Sequence, residues 1–569
     1  MKRVGFIAIA VLALLAGVFA EAQDATLRQA APIETAQSAL AHNGMVVAQE
    51  KRAAEIGVDI LRRGGNAVDA AVAVGFAMAV TYPRAGNIGG GGFMVIHLAD
   101  GRDTTIDYRE TAPAAANARM FLDADGNADA EKSRDSALAI GVPGTVAGLA
   151  LAHEKYGSGR LTLAELIAPA IALAENGFPI EDDLADSLPQ ARERLARWPS
   201  TRAILFNGDA PLREGERLKQ TDLAQTLRAI AERGPRAFYT GAIAGKIAAA
   251  VRAAGGIMTT EDLANYRAVE RAPVRGIYRG YDIVSMPPPS SGGICLIEML
   301  NVLEGYDLAK LGRGAESMHW LVEAMKRAYA DRALYLGDPD SVTIPVAALT
   351  SKKYAASLRA QIGERATPAA DILPDKEGRN TTHFSVIDAQ GNAVSNTYTL
   401  NFSYGVGLIA AGTGVLLNNE LDDFTAKPGT ANVYGLVGFD NNLPGPNKRP
   451  LSSMTPTIVL KDGKPVLVTG SPGGSRIITA TLQVIVDALD FHMPLADAVS
   501  APRLHQQWSP DRVYVEAGFD PAILAALKGR GHVLVPTAPH TAANSIQVTA
   551  DGYVGAADRR TRGSLAAGN

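Results

Sequence analysis

The sequence predicts an α+β fold, and two observations carry that prediction. Amphipathic helical periodicity dominates the first two-thirds of the 569-residue chain, whereas from His383 onward apolar and polar residues alternate in paired runs joined by short turns. A helix-rich front and a hairpin-rich back admit two arrangements: successive domains, or two sheets stacked between helical layers. Neither a repeat of solenoid or propeller period nor a low-complexity tract points elsewhere.

In chain order, Lys2 and Arg3 precede an uncharged apolar run, residues 4–20, followed by Ala20-Glu21-Ala22. This is the form of a secretory signal peptide, so residues 1–22 are expected to be removed and the product to be periplasmic or secreted. If uncleaved, the same run would serve as an anchor. Residues 46–65 place apolar side chains on one helical face and end at a glycine pair; residues 69–83 continue as a more buried helix stopped by Pro83. Further amphipathic helices are expected at 163–175, 220–233, 242–254 and 316–335, with strands at 91–100 and 280–290 between them. Residues 366–380 are polar, contain two prolines and a glycine, and form the best candidate linker. Beyond them, hairpins turn at 389–392, at Asp462-Gly463 and at Asp551-Gly552, and one strong helix is expected over 477–491.

Composition narrows the function classes. Hydrophobic residues at 47% and charged residues at 20% describe a folded chain, and a net charge of −4 gives no attraction to phosphate backbones, so no nucleic-acid partner is expected. The single cysteine, Cys295, excludes an intrachain disulfide and sits in an apolar helical pattern as a buried thiol. No HExxH, CxxC or paired His/Cys spacing occurs, so neither a metal nor another cofactor is expected. TGAIAGKI, residues 240–247, lacks P-loop spacing and reads as a surface helix; the glycines of 405–412 read as turn residues.

Two stretches carry chemistry. In VTGSPGGSR, residues 468–476, Thr469 stands where a nucleophile elbow needs glycine, which argues against Ser471 as a nucleophile. Gly473 and Gly474, near a helix start, fit either an oxyanion hole or an ordinary capping turn. In NTTHFSVID, residues 380–388, Thr381 and Thr382 follow the polar loop directly. They fit the start of a strand, where β-branched residues are welcome. They also fit an N-terminal nucleophile. Cutting the Asn380–Thr381 bond would give Thr381 an α-amine of pKa about 7.7–8.0, able to act as base for its own hydroxyl.

Taken together, IDYRETAP (106–113), MPPPSSGG (286–293), NTTHFSVID, TYTLN (397–401), LLNNELDDF (416–424), NVYGLVG (432–438), GPNKRPLSSMTPTIV (445–459) and VTGSPGGSRII (468–478) closely resemble the gamma-glutamyltransferase family in order and spacing. The resemblance implies an Ntn-hydrolase fold of four αββα layers, built from a precursor that cuts itself into a large piece (23–380) and a small piece (381–569) that stay together. It implies Thr381 as nucleophile, Thr399 as the residue orienting it, and Gly473 and Gly474 as oxyanion-hole amides. Arg109, Ser452 and Ser453 are implied to hold the α-carboxylate of a gamma-glutamyl group, and Asn401, Glu420 and Asp423 its α-ammonium. Tyr434, within an apparent lid at 427–442, is implied to close the pocket. Glutathione is the expected donor, with water, amino acids or dipeptides as acceptors. An acylase acting on glutaryl-type amides is the alternative.

Overall fold

The computed structural model describes residues 33–371 and 381–569. The signal-peptide expectation and the Asn380 side of the expected scissile bond lie outside the described residues.

Two seven-stranded antiparallel sheets form the centre. One runs, edge to edge, through Leu565–Gly568, Gly44–Ala48, Thr382–Asp388, Ala393–Thr399, Gly91–His97, Asp103–Asp107 and Val269–Arg271. The other runs through Gln37–Ala41, Gly552–Ala557, Asn544–Thr549, Lys464–Thr469, Thr457–Lys461, Tyr281–Ser285 and Val274–Tyr278. Period-2 alternation sorts their side chains between two cores. In the first sheet Met45, Val47, Phe93 and Val95 point toward the second sheet, where they meet Val284, Ile458, Val468 and Ile546. Their neighbours Val46, Met94, Ile96, Phe384 and Val386 point outward into a helical layer that includes Ala67–Thr81. Across the molecule Ile283, Val459 and Leu467 face a second helical layer built on Gly292–Leu303, Ala315–Tyr335 and Ile477–Leu489. The order is therefore helix, sheet, sheet, helix, which is the stacked arrangement.

Each sheet draws strands from both sides of residue 381. Thr382–Asp388 pairs with Gly44–Ala48 on one edge and Ala393–Thr399 on the other, and Ala393–Thr399 pairs in turn with Gly91–His97. A helix-only front domain followed by a sheet domain is thus not what forms.

The expected helices appear within a residue or two of their expected ends apart from the first, while the strand expected at 91–100 ends at His97 and that expected at 280–290 is only Tyr281–Ser285, since the prolines at 287–289 cannot donate to a ladder. Residues 46–65 are not one helix: Gly44–Ala48 is a buried strand, and the helix is Lys51–Arg62. Strand pairing on both edges overrides the helical periodicity of Val46 and Val47, and the Glu50 side chain caps the helix by accepting from Ala53 N. The back of the chain also contains helices that the sequence pattern did not single out, Leu495–Ser500 and Pro521–Gly529. The first part of the expected linker is docked rather than loose. Thr367 N and Oγ1 donate to Glu323 (3.1 and 2.6 Å), and Ala369 N donates to Asp511 Oδ2 at 2.7 Å.

Candidate active site

Thr381 stands immediately before the central strand Thr382–Asp388, and antiparallel register decides what lies across from it. Thr382 is opposite Tyr398, so one further step of the register brings Thr381 opposite Thr399, and both line one pocket. The strand start is pinned by Gln49, whose Oε1 accepts from both Thr382 Oγ1 and His383 N, the latter at 3.1 Å. His383 is the nearest imidazole in sequence, but it points between the sheets. Its Nδ1 meets Thr397 Oγ1 at 2.8 Å and its Nε2 meets Ser385 Oγ at 3.1 Å. Burial lowers its pKa to about 3. With both nitrogens engaged, it is not placed to serve Thr381 as a base.

A small pocket opens beside Thr381, lined also by Arg109, Thr399, Asn401, Glu420, Asp423, Tyr434, Ser452, Ser453 and Gly474. Sequence positions more than 300 residues apart in numbering, such as Arg109 and Asp423, meet here. Arg109 is fully buried: Nη1 donates to Glu420 Oε1, Nη2 to Asp423 Oδ2 at 2.5 Å, and Nε to Pro450 O at 3.1 Å. Its own carbonyl accepts from Tyr266 Oη at 2.8 Å, which fixes the backbone beneath the guanidinium. A third carboxylate, Glu110, lies 3.9 Å from Nη1. Burial pushes the Glu420 and Asp423 carboxyls above their ordinary range while Arg109 pulls the other way; burial also takes Glu110 up to about 8.

Two polar atoms within this lining are buried and have no hydrogen-bond partner, Ser453 Oγ and Glu420 Oε2. One is a hydroxyl able to donate and the other an acceptor, and both belong to residues that line the pocket with Arg109. Such atoms are costly to leave unmet, so the pocket is built for a ligand carrying both an acceptor and a donor. Asn401 takes a left-handed backbone (φ 71°), donates from N to Thr399 Oγ1 at 2.8 Å, and accepts from Tyr434 Oη. Tyr434, itself buried, caps that side of the pocket.

The glycine turn completes the site. Gly473 and Gly474 have φ of +135° and +57°, and a Cβ on Gly473 would lie 2.7 Å from Thr541 Cγ2, so glycine is required there. Gly474 lines the pocket and begins the turn Gly474–Arg476 that leads into Ile477–Leu489; Gly473 stands one residue behind the lining. Ser471 is buried, donating to Pro472 O and accepting from Ala542 N, a structural role that agrees with the failed elbow pattern. Residues not singled out by sequence are Glu110, Tyr266, Met454 and Ile477. Glu110 follows Arg109 in the segment 106–113 and could have been read there; Tyr266 has no local signal.

Among the described residues, His319, Glu323 and His532 form a separate cluster of possible metal ligands. It is already closed on itself. His319 Nδ1 meets His532 Nε2 at 2.7 Å, and Glu323 is engaged by Arg327, Lys326 and Thr367.

The profile of the family described as gamma-glutamyltranspeptidase matches residues 53–568. The chain belongs to the gamma-glutamyltranspeptidase family. It is 52% identical over 536 residues to the glutathione hydrolase proenzyme of Escherichia coli (strain K12), covering 93% of this chain and 92% of that protein. Among solved structures, the cephalosporin acylase from Bacillus halodurans matches 95% of this chain and 98% of its own, with TM-score 0.84 and 28% identity. The Helicobacter pylori gamma-glutamyltranspeptidase matches 60% of this chain and 97% of that one, with TM-score 0.57 and 47% identity. The four stacked layers of this chain are accordingly the Ntn-hydrolase sandwich. No described helix is long and apolar enough to cross a membrane.

Proposed function

We propose that this member of the family is a glutathione hydrolase proenzyme that cuts itself before Thr381 and transfers gamma-glutamyl groups to water or to amino acid and dipeptide amines. The observation that carries this reading is the pairing of Arg109 with Glu420 and Asp423, flanked by the unmet Ser453 Oγ and Glu420 Oε2. A gamma-glutamyl head group is a zwitterion. Its α-carboxylate replaces chain carboxylates on the Arg109 fork, with Ser452 and Ser453 donating, while its α-ammonium takes over Glu420 and Asp423 with Asn401. One internal ion-pair set is exchanged for two ligand pairs without a net change of charge.

Held in this way, the gamma carbonyl reaches Thr381. The freed α-amine takes the Thr381 hydroxyl proton as Oγ attacks, Thr399 orients the nucleophile, and the oxyanion rests on the Gly473 and Gly474 amides. Collapse expels the amine leaving group with a proton and leaves a gamma-glutamyl ester on Thr381, which water or an acceptor amine then opens. The cut would yield pieces 23–380 and 381–569, and the mixing of strands in both sheets supports their staying together. We also propose export on the strength of residues 1–22, with a periplasmic or secreted product.

A glutaryl amide keeps the carboxylate but lacks the ammonium, so the two substrate classes separate cleanly. Release of p-nitroaniline from the gamma-glutamyl derivative should exceed release from the glutaryl derivative by about tenfold or more, since a buried carboxylate left without its cation is costly. A preference for glutaryl would make the chain an acylase; inertness toward both would refute the enzyme reading.

A further inference from the structure

Arg332, in the last turn of Ala315–Tyr335, is only 4% exposed. Arg327, Arg449 and Arg503 are buried to a similar degree, and each meets a carboxylate: Glu323, Asp107 and Asp558 respectively. Among the described residues no carboxylate lies within ion-pair distance of Arg332. Its side chain donates from Nε to Ser291 Oγ at 2.9 Å. Ser291 passes the contact on, donating from Oγ (2.6 Å) and from N (2.8 Å) to the carbonyl of Ser452, whose N donates to Pro289 O. The relay ends on the residue pair Ser452–Ser453 in the pocket lining. Arg332 is also close enough to Asp423 and Arg109 for their charges to be felt mutually.

A buried guanidinium without a carboxylate is expensive and needs a compensating role. Nearby, Arg109 pairs with Glu420 and Asp423 and has Glu110 3.9 Å away, and Asp423 also feels the charge of Arg332. We propose that Arg332 is a positioning residue for donor recognition: through Ser291 it holds the Ser452–Ser453 segment against the substrate α-carboxylate, and its charge adds to that site's attraction for an anion. This rests on the gamma-glutamyl reading above, so the experiment keeps the two apart.

Arg332→Gln, Arg332→Lys and Ser291→Ala are compared with the unaltered chain on gamma-glutamyl-p-nitroanilide and on 4-aminobutyryl-p-nitroanilide, which lacks the α-carboxylate. Arg332→Gln should raise KM for the gamma-glutamyl substrate about tenfold with kcat within about twofold, and leave kcat/KM for the 4-aminobutyryl substrate unchanged. Arg332→Lys should recover part of the loss by keeping the charge. Ser291→Ala, which removes the hydroxyl link between Arg332 and Ser452 O and leaves the backbone contact and the arginine, should give a smaller rise of the same selectivity, and it carries the test if Arg332→Gln does not fold. An unchanged KM in Arg332→Gln, or an equal loss on both substrates, overturns the proposal. Failure of the unaltered chain to use the gamma-glutamyl substrate would instead overturn the underlying reading.

Discussion

Replacing Arg109 by lysine keeps the positive charge and removes the fork, which makes it the sharpest test of how the donor is held. Arg109 donates in three directions, to Glu420, Asp423 and Pro450 O. A lysine ammonium is a point charge and cannot span two carboxylates and a carbonyl with that geometry, nor offer a substrate carboxylate two parallel donors. Loss of one charge-assisted hydrogen bond costs about 1.5–3 kcal/mol, a roughly 10- to 150-fold weakening. The affected contact lies at the α-carbon end of the donor, away from Thr381, so the loss should fall on KM and leave kcat within a few-fold. Initial rates of p-nitroaniline release over a wide range of gamma-glutamyl-p-nitroanilide give both constants. If KM stays within about twofold of the unaltered chain, Arg109 does not grip the donor and the zwitterion-exchange picture is wrong.

Two further outcomes are expected. Gly473→Ala should lower kcat by about 10²–10³ by displacing an oxyanion donor. A stopped-flow or steady-state assay at saturating donor measures it, and retention of full kcat would remove Gly473 from the oxyanion hole. Glu110→Gln should change how stability depends on pH. Glu110 has a folded pKa raised to about 8 against about 4.5 unfolded, so the native state holds more protons between those values and stability falls as pH rises through that window. The neutral isostere should flatten that fall, read as Tm against pH from about 4.5 to 8, and an unaltered slope would mean that Glu110 is ionised in the fold.

Much of this architecture was legible in the sequence because local signals and tertiary packing agree. The hairpins at 389–392, Asp462-Gly463 and Asp551-Gly552 follow from alternation and turn residues, and the helix Ala67–Thr81 from an apolar run stopped before Pro83. Val46 and Val47 misled because their apolar spacing suits a helix, while pairing to Ser385–Asp388 and to residues 565–568 can be known only once distant strands are placed. The same limit hid Tyr266 and Arg332, which act on the pocket through a carbonyl of Arg109 and a carbonyl of Ser452. Backbone partners leave no pattern in side-chain identity. The threonine pair is ambiguous for a different reason: strand chemistry and nucleophile chemistry want the same residue there, so the local residues leave both readings open and the family resemblance is what favours the nucleophile.

N-terminal sequencing of the fragments of the purified protein tests the central claim most directly. A small fragment beginning Thr-Thr-His-Phe is expected, together with its absence from Thr381→Ala, which should remain one inactive chain. Active enzyme that proves to be uncut at residue 381, or a Thr381→Ala variant that still splits at that bond, would contradict the mechanism.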